Sequence, residues 1–283
     1  MLLEIDNPFG PDCGIVRVLE PTTASGALIG HAIADGTYAK PFIVDEGTTR
    51  SLYFNMANIQ CVMNTGDPDG LVLAYTRAMT AFLLFHPEPA RIAIVGLGGG
   101  SLAKFCYRYL PRTDISTLEI DADIIALRDA FRVPPDDDRF RVIHADGADY
   151  VARARGLDVL LIDAYDRGGL APSLTGASFY ADVAANLAPE GLFVMNLCGR
   201  RRAYAAVVEH VAAAFRGRLV ELPARRDGNV VLYAFKSPGN HSRAPASEID
   251  ARALKRRFGF DFPRYAARLN KGLADWSVPR DPE

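Results

Sequence analysis

Three patterns of apolar and polar positions follow one another along the chain. Over residues 1–65 the apolar positions come in short runs rich in β-branched and aromatic residues. "KPFIVDEG" (40–47), "TRSLYFN" (49–55) and "NIQCVMN" (58–64), set apart by turn signals, predict strands. "NTGDPDG" (64–70) predicts a loop. Over residues 66–240 two periods alternate. "LVLAYTRAMTAFLLF" (71–85) predicts a helix, and "RIAIVGL" (91–97), "ISTLEID" (115–121), "FRVIHAD" (140–146), "LDVLLID" (157–163), "GLFVMNL" (191–197) and "NVVLYAFK" (229–236) predict strands. Most of these runs are continuously apolar, as strands buried on both faces are. "DADIIALRDAF" (121–131) and "YAAVVEHVAAAF" (204–215) lie between them and read as helical. The alternation predicts a doubly wound α/β sheet preceded by a small β region. Over residues 241–283 the pattern turns polar and basic. A linker, "SPGNHSRAPAS" (237–247), leads to a helix, "EIDARALKRRF" (248–258), and a tail containing Trp and Pro.

Composition narrows the function classes. The 283 residues are 49% hydrophobic and 23% charged, with a net charge of −2. That balance gives no reason to expect a nucleic-acid partner, and no apolar run is long enough to span a bilayer. The first residues, "MLLEIDNPFG", carry acids where a signal peptide carries bases. Cys13, Cys61, Cys106 and Cys198 are scattered without a CxxC pair, so free thiols and a cytoplasmic location are expected. The five histidines show no ligand spacing, and no metal is expected.

Candidate chemistry gathers after the strands of the middle region. "RIAIVGLGGGSLAKF" (91–105) places Gly96, Gly98 and Gly100 between a strand and a helix opening near Ser101. Such a turn lets a ligand lie against bare backbone near a positive helix end. A tight turn without a ligand is the plain alternative. Glu119 closes the next strand, about twenty residues on, where an acid accepts from ribose hydroxyls; a solvated strand-end carboxylate is the alternative. Asp146 in "HADGADY" could accept from an adenine amine or serve only as a turn residue before Gly147. "LLIDAYDRGG" sets Asp163 and Asp166 at the same edge. Four acids at successive strand ends describe a pocket for an adenosine bearing little or no phosphate, which weighs against a dinucleotide.

"IVGLGGGSL", "LEID", "HADGADY", "LLIDAYD" and "LAPEGLFVMNL", in this order, resemble the successive motifs of the spermidine-synthase-like family. The likeness runs over residues 37–236 and includes "TTRSLYFNMANIQCVMN" (48–64). It implies the Rossmann-like class I methyltransferase fold and a transferase that uses S-adenosylmethionine or decarboxylated S-adenosylmethionine, with a small-molecule amine as acceptor and a homodimeric assembly. By the same resemblance Gly96, Gly98 and Gly100 form the nucleoside loop and Glu119 is the ribose acid. Asp146 and Gly147 contact adenine, and Gln60 reaches the sulfonium side. Asp163 takes the proton of the attacking amine, Asp166 helps hold the polyamine, and Tyr75 belongs to the acceptor site.

Two departures bear on the reaction. The family's glycine loop carries an Asp where this chain has Gly99, and its "YHE" segment is here Tyr75-Thr76-Arg77. A cation in place of an acid conflicts with a polycationic acceptor unless Arg77 points away. With no carboxylate at Gly99, intact S-adenosylmethionine is expected to bind at least as well as the decarboxylated form. Aminopropyl transfer and methyl transfer are the two leading readings; an NAD-type oxidoreductase and a non-catalytic nucleoside-binding protein are the others. "RGGLAPSLTGAS" (167–178) reads as a lid or as an ordinary connection. "ALKRRFGFDFPRYAARLNKG" (253–272) reads as helix packed on its own domain or as a docking segment.

Overall fold

A computed structural model describes residues 2–56, 58–224, 228–237 and 246–274. Most of the predicted linker, His241 within it, and the Trp/Pro tail lie outside the described residues.

The chain opens with an antiparallel sheet in the order β1-β2-β3-β4-β5. Its strands are β1 (Leu3–Asp6), β2 (Ile15–Val18), β3 (Phe42–Glu46), β4 (Thr49–Asn55) and β5 (Asn58–Asn64). The last three match the apolar runs. The first two, and helix α1 (Gly26–Ala34) beside β1, were not predicted. α1 begins where the Ser25 side chain accepts the Leu28 N–H. A buried set of Ile5, Val16, Val18, Ile33, Phe42 and Val44 forms this sheet's own core.

The larger sheet has seven strands. β6 (Arg91–Val95), β7 (Asp114–Glu119), β8 (Phe140–His144) and β9 (Leu157–Ile162) come first, and a small hairpin of β10 (Tyr165–Asp166) and β11 (Gly169–Leu170) follows. β12 (Leu187–Leu197), β13 (Leu219–Pro223) and β14 (Val230–Phe235) complete the set. The order is β13-β14-β12-β9-β6-β7-β8. β6, β7, β8, β9 and β12 run parallel, whereas β14 is antiparallel to both β12 and β13. β13 was not predicted. Paired on one side only, it does not need the continuous apolar run of a central strand, and its pattern "LVELP" is correspondingly mixed.

Helices cover both faces. α2 (Ala74–Met79), α3 (Ser101–Tyr109) and α4 (Ala122–Ala126) precede α5 (Gly147–Arg153), α6 (Ala177–Asn186), α7 (Arg201–Ala214), α8 (Glu248–Phe258) and α9 (Phe262–Ala274). Strand alternation divides the core. Ile92, Ile94, Val159 and Leu161 join Phe105, Tyr233 and Phe262 on one face. Ala93, Val95, Leu160 and Ile162 join Val151, Tyr180, Phe193 and Val211 on the other. Each buried large side chain there contributes about 1.5–3 kcal/mol.

Two predicted helices are shorter than their patterns. The run 71–85 is α-helical only over Ala74–Met79 and continues as a 3-10 turn over Thr80–Leu84. Thr76 and Thr80 turn their hydroxyls onto the carbonyls of Leu73 and Arg77, which competes with regular helix. The buried Tyr233 hydroxyl lies 2.5 Å from the Ala78 carbonyl and 3.0 Å from that of Met79. The run 121–131 keeps only α4, capped by Asp121 on the Asp123 N–H. α8 and α9 pack on the chain's own larger sheet through α9 and β13, as one of the two readings expected.

Candidate active site

Because β6, β7, β8, β9 and β12 are parallel, their carboxyl ends share one edge, and the predicted acids lie along it. The glycine turn follows β6. Gly96 has φ +96 and Gly100 φ +69, backbone that a side chain disfavours. A Cβ on Gly96 would also collide with the Asp163 carbonyl. The turn is thus packed against the end of β9, and Gly100 opens α3 as its N-cap. Gly98 lies in open surroundings by comparison, 4.0 Å from the Cys61 Cβ for an added methyl.

Glu119 does more than end a strand. Its Oε2 accepts the Leu97 N–H at 2.9 Å and its Oε1 accepts the Asp121 N–H at 3.0 Å. The carboxylate therefore holds the glycine turn from the neighbouring strand. Asp146 accepts the Ala148 N–H at 2.7 Å and caps α5. Gly147 is packed so closely that an added Cβ would run into Val95.

Asp163 sits at the centre of a second, differently built group. Tyr75 on α2, itself only 8% exposed, donates to Asp163 Oδ2 at 3.1 Å. Asn196 on β12 donates through Nδ2 to Asp163 Oδ1 at 2.9 Å. Asn229, just before β14, donates to Asn196 Oδ1 at 2.8 Å. Burial pushes the Asp163 carboxyl above the usual carboxylate range, and the hydrogen bonds from Asn196 and Tyr75 pull it back in part.

Gln60 stands at the edge of the N-terminal sheet. Leu52 pairs with Cys61 while Tyr53 pairs with Ile59, so Gln60 is the extra residue of a bulge. A bulge re-aims a side chain out of the regular alternation. Asp166 is not drawn into the Asp163 group. It is exposed, and its Oδ1 accepts the Gly168 N–H at 2.6 Å across the β10–β11 turn. Arg167 ties that turn to the carbonyls of Tyr38 and Lys40. From Leu174 onward the stretch 167–178, a lid or an ordinary connection by sequence, is anchored: Leu174 is buried and its carbonyl accepts from Tyr180.

The departures from the family pattern have structural answers. Arg77 turns away from Asp163, donating to the Leu71 carbonyl at 2.6 Å with its guanidinium 5.6 Å from the Phe260 ring centre. At Gly99 an added Cβ would lie 2.5 Å from Cys61 Sγ and 2.8 Å from the Phe131 ring. The buried Lys104 ammonium donates to the Phe131 carbonyl at 2.8 Å. The space beside Gly99 is therefore filled, and the charge behind it is cationic. Asn196 and Asn229 escaped the sequence reading. Their signal was a polar residue inside the apolar run "FVMNL" and another at the start of the facing strand.

A hollow of ≈ 1020 Å³ lies elsewhere, between β1 and α1, lined by Leu3, Ile5, Gly26, Gly30 and His31 among others. None of the predicted site residues borders it. Among the described residues no cluster of His, Cys, Asp and Glu could hold a metal ion, and no helix is long and apolar enough to cross a membrane.

Sheet order and glycine turn together define a Rossmann-like protein of the class I methyltransferase fold. Residues 72–203 match the spermine/spermidine synthase domain. A polyamine aminopropyltransferase of Chromobacterium violaceum is 38% identical over 231 residues, covering 81% of this chain and 88% of its own. A human lysine and N-terminal methyltransferase is 30% identical over 213 residues, 67% of this chain and 30% of its own. In three dimensions the chain is similar to a probable spermidine synthase from Corynebacterium glutamicum, with a TM-score of 0.61 at 20% identity over 76% of this chain and 84% of that one. The chain belongs to the spermine/spermidine synthase family. It is a transferase, which sets aside the oxidoreductase and non-catalytic alternatives.

Proposed function

We propose that this chain transfers an aminopropyl group from decarboxylated S-adenosylmethionine to a small amine. The observation that carries the reading is the Asp163 group: a half-buried carboxyl, pushed up in pKa and held by two neutral donors, at the edge that also bears the glycine turn. The name of the Chromobacterium relative supports the same chemistry. In this reading Gly96, Gly98 and Gly100 let the nucleoside approach the backbone. Glu119 receives the ribose hydroxyls on lone pairs not used by Leu97 and Asp121, and Asp146 with Gly147 borders the adenine. Gln60 faces the sulfonium side.

The amine nitrogen attacks the propyl carbon next to sulfur. The carbon–sulfur bond breaks, its electron pair stays on sulfur, and methylthioadenosine leaves. Asp163 takes the proton of the attacking amine, so that the nitrogen attacks with a free lone pair, a general-base contribution of about two to four orders of magnitude. Tyr75 keeps the carboxylate aimed, and Asp166 offers a second, exposed acid to the far end of a cationic acceptor. Residues 66–240 form the catalytic unit, with 1–65 and 241–283 as flanking regions. The assembly is a homodimer in the cytoplasm, a state to be checked by light scattering on the purified protein.

One observation favours a second reading, methyl transfer from intact S-adenosylmethionine. The place of the family's loop carboxylate is filled by Cys61 and Phe131, with the Lys104 ammonium behind them. No carboxylate at position 99 itself repels the donor's own carboxylate, so intact S-adenosylmethionine binds at least as well as the decarboxylated form. The deciding experiment incubates the protein and 1,4-diaminobutane with each donor and identifies the nucleoside released. Methylthioadenosine from the decarboxylated donor supports aminopropyl transfer. S-adenosylhomocysteine from the intact donor, with no methylthioadenosine, overturns it in favour of methyl transfer.

A further inference from the structure

The amide of Asn196 can be placed in two ways, and only one serves Asp163. With Nδ2 toward Asp163 it donates to the carboxylate; rotated by half a turn it would set Oδ1 against it. Asn229 decides between them. Its Nδ2 donates to Asn196 Oδ1 at 2.8 Å, which leaves Nδ2 of Asn196 to Asp163 at 2.9 Å. Both asparagines are more than nine-tenths buried, at 3% and 7% exposure, so water does not compete for these bonds. The backbone is held as well: the Tyr165 hydroxyl donates to the Asn196 carbonyl at 3.0 Å and accepts the Cys198 N–H at 2.8 Å. The antiparallel pairing of β14 with β12 makes the meeting possible. Asn196 pairs with Val231, so Asn229 emerges at the carboxyl edge of the parallel strands.

We propose that Asn229 and Asn196 form a positioning relay that orients Asp163 and keeps it ionised as the proton acceptor. The relay rests on the reading of Asp163 as general base. Neither asparagine is a catalytic residue; Asn196 acts through Asp163 and Asn229 through Asn196. Two neutral apolar side chains in their place would pack the same space, so a purely structural role does not call for the pair. A donor to the ionised form stabilises it against burial, and removing that donor raises the pKa further. The titratable groups facing Asp163 are Tyr75 on α2, Tyr165 on β10, Cys61 on β5 and Cys198 after β12. Burial raises the pKa of Tyr165, Cys61 and Cys198 and keeps them neutral near pH 7.

The test is the pH profile of kcat/KM with decarboxylated S-adenosylmethionine and 1,4-diaminobutane, for wild type, Asn196→Leu, Asn229→Leu and Asp163→Asn. Asn196→Leu is expected to move the acid limb upward by about one pH unit, a roughly tenfold loss below the limb that is regained as pH rises. Asn229→Leu is expected to move it in the same direction by less, with donor affinity within about twofold of wild type for both. A rate that falls by the same factor at every pH, or a limb that stays in place, overturns the relay. Melting temperature reports folding; if Asn196→Leu does not fold, the direction of the limb in Asn229→Leu decides. Full activity in Asp163→Asn instead overturns the base assignment beneath the relay, so the two failures are distinguishable.

Discussion

The two halves of the site hold their carboxylates by opposite means. In the proposed nucleoside half, Glu119 and Asp146 are bound by backbone N–H groups of Leu97, Asp121 and Ala148. In the proposed acceptor half, Asp163 is bound by the side chains of Tyr75 and Asn196, and its pKa is pushed up by burial. Backbone donors are rigid, which suits the proposed role of an acid that only receives hydroxyls. Burial, offset in part by two neutral side-chain donors, leaves the Asp163 carboxyl within reach of protonation, which suits the proposed role of taking a proton in each turnover. On the proposed roles, the contrast separates binding from chemistry along a single sheet edge.

The sharpest way to break this comparison is Asp163→Asn. It should leave donor affinity within about twofold while lowering kcat by about two to four orders of magnitude, as read by calorimetry and turnover on one sample. Equal loss of binding would move Asp163 into the nucleoside half. In the wild type the sign of the pH dependence follows from the raised pKa: activity falls as pH drops through a value above the ordinary carboxylate range.

Glu119→Ala is the mirror test. On the proposed role it removes charge-assisted bonds to the donor, and it also frees the Leu97 N–H, so affinity for any adenosine-bearing ligand should fall by about 2–4 kcal/mol. The freed loop should also exchange its Leu97 amide hydrogen faster. Unchanged affinity would remove Glu119 from the site.

Much of this was legible in the chain. Apolar runs marked the five parallel strands and β14, and the acids followed three of them, β7, β8 and β9, in order. Less legible was what depends on a partner element. β13 and the N-terminal strands β1 and β2 carry short, mixed patterns because a sheet edge or a single buried face asks for little. The run 71–85 has helical spacing throughout, and its 3-10 end is tied to Thr80 and to Tyr233, which lies far along the chain. Asn196 and Asn229 meet only because β14 is antiparallel, and no local spacing states that. The direction of Arg77 likewise depends on Phe260, a residue outside the family motifs.

Two smaller effects sharpen the contrast. Gly147→Ala drives a methyl into Val95 in the core below the nucleoside half. It should cost about 1–3 kcal/mol of stability, read from urea unfolding, and a stability equal to wild type would show that this packing has slack. Arg77→Ala should lose its hydrogen bond to the Leu71 carbonyl and its contact with the Phe260 ring, about 1–2 kcal/mol of stability together. The KM for the amine acceptor should not change; a fall in KM would place the guanidinium in the acceptor half after all.

The division of labour along the sheet edge is tested most directly by a crystal structure with methylthioadenosine. The ribose hydroxyls are expected on the Glu119 carboxylate, the adenine beside Asp146 and Gly147, and the sulfur turned toward Gln60 and Asp163. A nucleoside bound with its ribose on Asp163, or seated in the hollow between β1 and α1, would contradict it.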